Sequence, residues 1–191
     1  MSSLRADFEE LLRRVTSGRH FSHASYEPIF YLVFRPQEIL EVKRLMPGWK
    51  ARLSNDGWQV ATFSMAKHIG EILAASPMRK IWLAADHKSP LDWARTNGAL
   101  ANALTSNGQI QKRLEAVLAE LEGRPKSILF VTDLEALHPY LRIGAIEAEL
   151  QGKFSVPTIF FYPGTRSGNT RLRFLGFYPE DGNYRSVHVG G

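Results

Sequence analysis

The sequence predicts an α/β fold: a mainly parallel central sheet with helices on both faces and an antiparallel C-terminal edge. Three observations lead there. The apolar runs Ile29–Phe34, Ile128–Thr132 and Pro157–Tyr162 lack polar alternation, as strands covered on both faces require. Helical stripes separate them. The composition, 44% hydrophobic and 23% charged over 191 residues, is that of an ordinary globular chain long enough to bury one core. Residues 1–191 are therefore read as a single domain, with a helical insertion at about residues 77–123.

Taken in order, Ser2 or Ser3 caps a first helix whose apolar stripe is Leu4, Phe8, Leu11, Leu12 and Val15. A linker containing His20, His23 and Tyr26 leads to the first strand, Ile29–Phe34. The second helix starts near Pro36 and turns Ile39, Leu40, Leu45, Trp49 and Leu53 inward. Pro47 should kink or split it, because proline removes a helical hydrogen bond. Asn55-Asp56-Gly57 marks a turn before a strand at Trp58–Ser64, and Met65–Ala75 is helical up to Pro77. The Lys80–Asp86 stretch fits a short strand or a helix. Helices follow at Pro90–Thr105 and Gln109–Glu122, the latter striped by Ile110, Leu114, Val117, Leu118 and Leu121. Then come a strand at Ser127–Thr132, a helix at Glu135–Leu150, and a strand at Pro157–Tyr162 ended by Pro163 and Gly164. Two closing strands, Arg171–Phe177 and Tyr184–Val189, form the antiparallel end.

The motifs exclude more chemistry than they offer. Cysteine is absent, so disulfides, thiolate metal sites and cysteine nucleophiles are out, and a reducing cytosol suits the chain. No apolar run approaches the ~20 residues of a membrane span, and the N-terminus has no apolar signal core; a cytoplasmic location is expected. No G-x-x-x-x-G-K-[ST] occurs, and the turn after the first strand, Arg35-Pro36-Gln37-Glu38, lacks the glycines that let backbone amides approach a phosphate. Ile128-Leu129-Phe130-Val131-Thr132-Asp133 resembles the ATPase strand whose terminal Asp holds magnesium, but without a phosphate grip that Asp reads as a cap of the next helix. The fold class is thus a P-loop-NTPase-like layout without the phosphate loop. The histidines have neither metal-ligand spacing nor an H-E-x-x-H, and no G-x-S-x-G elbow exists. No catalytic residue, cofactor or metal is expected.

The net charge is +5, spread without a block of like charges. Phe160, Phe161 and Tyr162 with Arg171 and Arg173 offer a base-stacking surface, but sheet core and inter-element packing is the reading such aromatics favour. Gly164–Asn169 reads as a connection between strands, and alternatively as a loop presenting Arg166 to an anion. Along the return strand, Leu172 and Phe174 face the core while Arg171 and Arg173 face out.

The last third carries a resemblance. Val156-Pro157-Thr158-Ile159-Phe160-Phe161-Tyr162-Pro163-Gly164, then Leu172-Arg173-Phe174-Leu175-Gly176, then Asn183-Tyr184-Arg185 resembles the BrxB family of bacterial BREX phage-exclusion loci. The family's middle block is similar to Phe130–Asp133 followed by Ala136, Leu137, Pro139, Tyr140, Leu141 and Arg142, and its first block to Glu27–Pro36 with Glu38, Glu41, Val42 and Arg44. Thr165-Arg166 and Tyr184-Arg185-Ser186-Val187 depart from the family pattern. The resemblance implies a non-catalytic adaptor for other BREX proteins, among them a PglZ-like protein, a BrxC-like ATPase and a PglX-like methyltransferase, acting in host DNA methylation and phage exclusion. Direct nucleic-acid binding by the basic C-terminal face is the alternative. The partner-docking candidates are Tyr162, Pro163, Gly164, Arg166, Arg173, Gly176, Tyr184 and Arg185.

Overall fold

Six consecutive apolar residues, Ile29–Phe34, have no solvent-facing side, and all six are buried in strand β1 at the centre of the sheet. The computed structural model describes residues 3–17, 27–168, 171–182 and 186–191. Five parallel strands run in the order β2-β3-β4-β1-β7, with β2 at Gln59–Ser64, β3 at Ser127–Thr132, β4 at Thr158–Ser167 and β7 at Val187–Gly190. Two short strands, β5 (Arg171–Phe174) and β6 (Glu180–Asp181), form an antiparallel ribbon on the far end of β4. The predicted fold class holds. The final strand differs: β7 leaves the ribbon and returns beside β1, with Tyr31 opposite His188, as a parallel partner.

Alternation along the strands divides two cores. On one face Phe30, Leu32, Phe130 and Phe161 meet helix α1 (Leu4–Ser17) and helix α2 (Ile39–Asn55), where Phe8 stacks on Trp49 at 4.3 Å between ring centroids. On the other, Tyr31, Val131, Phe160 and Tyr162 meet α3 (Met65–Ala75), α6 (Gln109–Leu121) and α7 (Ile143–Glu149). Outside them lie α4 (Arg79–Lys88) and α5 (Trp93–Thr105). No helix among the described residues is long and apolar enough to cross a membrane.

Four local expectations are corrected. Helix α2 runs unbroken through Pro47, because the proline sits on the exposed side, where water can reach the Lys43 carbonyl that loses its partner. Leu40 is 79% exposed rather than inward. The helix expected over Glu135–Leu150 is a 3₁₀ turn at Leu134–Leu137 followed by α7, since Pro139 offers no amide and disfavours helical geometry before it. Strand β4 continues past Pro163 and Gly164 to Ser167. Its pairing with β3 ends at Phe160, so the absent proline amide leaves no bond unmade on that side, and the Pro163 carbonyl accepts from Leu175 N at 2.9 Å.

Candidate functional site

In open parallel sheets the carboxyl ends of the strands are the usual ligand crevice, because loops there can vary while the sheet fixes their roots. Here that edge is held by internal charge pairs. After β1, the Arg35 amide and guanidinium both donate to Glu38, each at 3.0 Å, so a carboxylate fills the turn where a phosphate loop would lie. At the ends of β2 and β3, Asp133 accepts from Ser64 Oγ at 2.6 Å and Thr132 Oγ1 at 3.0 Å, and pairs with Lys43 Nζ at 2.9 Å; the same ammonium lies 2.7 Å from Glu135. Burial pushes the Asp133 carboxyl up, but the hydrogen bonds from Ser64 and Lys43 outweigh it and hold the group below its ordinary value. Its side chain does not cap the following turn, as the sequence suggests; it ties α2 to the sheet edge instead.

The ribbon at the end of β4 contains most of the docking candidates. Tyr162, Pro163 and Gly164 are buried in β4, with the Tyr162 ring tilted on Phe174 at 5.5 Å. A Cβ on Gly164 would drive into the Arg173 carbonyl oxygen and lie 2.6 Å from the Tyr162 ring, so only glycine lets β5 approach this closely. Leu172 and Phe174 face the core and Arg171 and Arg173 face out, as the alternation predicts. Both arginines lie against Glu180, at 3.8 and 3.2 Å. Arg166 donates to the His188 carbonyl at 3.1 Å, fastening β4 to β7. Gly176 stands exposed in the turn after β5 with a φ of +78°. Tyr184 and Arg185 lie outside the described residues.

A cavity of about 470 Å³ opens at the opposite, amino end of β1, against α7 and β6. Arg142 projects there with its guanidinium 3.1 Å from the Tyr178 ring centroid, a cation–π contact. Glu147 accepts from the Tyr31 hydroxyl, and burial, with Glu27 and Asp181 adding to it, raises the Glu147 carboxyl. Sequence reasoning missed this pair: Tyr31 and Glu147 are 116 residues apart, and no local spacing links them. Among the described residues, no group of three His, Asp or Glu side chains could hold a metal ion.

The geometry defines an α/β protein whose ligand edge is occupied by its own ion pairs and whose C-terminal motif residues are partly core. Comparison with known proteins adds the relationship. The chain matches the family model described as BREX protein BrxB over residues 63–189, about two thirds of its length, and belongs to that family. It is therefore a component of the bacterial BREX phage-defence systems. The match takes in β3, β4 and the ribbon, and the first block around β1 lies outside it. No curated protein and no solved structure gave a match.

Proposed function

We propose that this chain is a non-catalytic adaptor: it docks other BREX proteins, the PglZ-like, BrxC-like or PglX-like components, and thereby supports host DNA methylation and phage exclusion. The observation that supports this reading best is the carboxyl edge of the sheet. Its acids and bases satisfy one another, with Arg35 on Glu38 and Lys43 between Asp133 and Glu135, so the crevice is a clasp for the fold rather than a receptor for phosphate. The outward arginines of the ribbon are likewise engaged, by Glu180.

The competing reading, a nucleic-acid-binding subunit, draws on the net charge of +5. Titrating the isolated protein with duplex DNA across a salt series separates the two. A phosphate reader loses affinity steeply, with a logarithmic slope close to the number of phosphates it neutralises. The adaptor shows no saturable binding at physiological salt, and hydrolyses neither ATP, phosphate esters nor DNA. Saturable binding with a slope steeper than about −4 establishes the nucleic-acid reading instead.

A further inference from the structure

Among the described residues, the large apolar side chains exposed to solvent concentrate on α4, α5 and the turns beside them: Met78, Ile81 at 58%, Leu83 at 53%, Leu91 at 89% and Trp93 at 66%. The sequence explains why. Ile81-Trp82-Leu83-Ala84-Ala85 is apolar all round a helix, so packing Trp82 inward leaves Ile81 and Leu83 outward, and no residue of α4 is fully buried. A helix of ten residues with no buried stripe is marginal alone, and its apolar face calls for a cover.

The surface there is concave. A groove of about 390 Å³ is walled by Leu73 and Ala74 of α3, Trp82 and Leu83 of α4, and Leu100 of α5. The α4 residues lining it, Arg79, Trp82, Leu83 and Asp86, follow the i, i+3, i+4, i+7 spacing by which one helix packs on another. The charges of the helix pair are Arg79, Lys80, Lys88 and Arg95 against Asp86 and Asp92, and none of the six holds an ion pair among the described residues. On the adjoining α3–α6 face, by contrast, Arg113 meets Glu71.

From the groove and the unpaired excess of positive charge on the helices beside it, we propose that the α3–α4–α5 surface seats an amphipathic helix of a partner protein, apolar toward the groove and acidic along its flanks. The inference rests on the adaptor reading and gives it an address. A concave slot favours a helix over a lipid surface, which is flat on this scale, and the excess of positive charge on the helix pair disfavours a second copy bringing the same cations.

The test uses the full chain carrying a photo-crosslinking benzoylphenylalanine in place of Leu83, co-expressed with its operon neighbours, with the linked peptide sequenced. The expected product joins position 83 to a neighbour's segment with apolar residues at i, i+3 or i+4 and acids beside them. Leu83→Glu should weaken the complex at least tenfold, Lys80→Glu severalfold with a reduced salt dependence, and Leu40→Glu, at an exposed position of α2, should leave it unchanged. Thermal melting checks that each variant folds; the crosslink and Lys80→Glu decide should Leu83→Glu melt early. A crosslink to a second copy of this chain overturns the proposal, as does flotation of the protein with phosphatidylglycerol vesicles that Leu83→Glu abolishes. A complex indifferent to both substitutions overturns the surface but leaves the adaptor standing. A chain that captures no neighbour at all removes both.

Discussion

His188 shows how a single side chain is set by the sheet it occupies. It lies in β7 opposite Tyr31, whose ring meets it edge-on at 5.3 Å, with Ser186 Oγ 3.0 Å from Nε2. Burial, with the Arg166 charge adding to it, lowers the imidazole to about 4. Because the folded pKa lies below the unfolded one, the unfolded chain takes up a proton first as the solution is acidified. Stability is then complete above about pH 6.5, declines as pH falls toward 4, and levels off below. Comparing urea unfolding at pH 7 and pH 4.5, the wild type should lose about 2 kcal/mol more than His188→Gln. Equal losses would show that the ring is not buried neutral. The sequence displayed His188 only as an isolated histidine, since the strand that buries it against Tyr31 is paired over 157 residues of separation. Tyr162 and Gly164, by contrast, were legible as special positions, although their burial ties them to packing as much as to a partner.

At the scale of elements, the apolar runs gave β1, β3 and β4 away because a central strand cannot alternate. The helices were legible wherever a stripe faced one core, as in α1 and α6. Legibility failed where tertiary surroundings relieve a local rule. Pro47 breaks helices in isolation, yet exposure to water satisfies the carbonyl it deprives, and α2 continues. Pro163 and Gly164 look like a stop, yet β4 has already left β3 and takes β5 as its new partner. The ribbon depends on that exchange, and on the absence of a side chain at Gly164. Gly164→Ala should therefore destabilise the protein by about 2–4 kcal/mol and speed amide exchange across Arg171–Phe174, with exchange in β3 unaffected until global unfolding. Unchanged exchange in β5 would mean that the two strands are not held at this spacing.

For the molecule as a whole, the net charge of +5 was readable at once but not its disposition. Folding brings Lys43 to Asp133 and Arg113 to Glu71 across 90 and 42 residues of chain, and so pairs charges at the sheet edge and on the α3–α6 face. The α4–α5 pair, whose charges hold no ion pair among the described residues, is apolar and basic at once, within the segment read from sequence only as a helical insertion. The adaptor proposed above would make its contribution through contact. The most direct measurement is co-purification: the tagged chain expressed with its operon neighbours, passed through affinity and size-exclusion columns, with the mass of the eluting species determined by light scattering. The adaptor reading predicts a stoichiometric complex with a BREX neighbour that survives nuclease treatment and high salt. A chain that elutes alone beside every neighbour, or whose association vanishes when nucleic acid is digested, would contradict it.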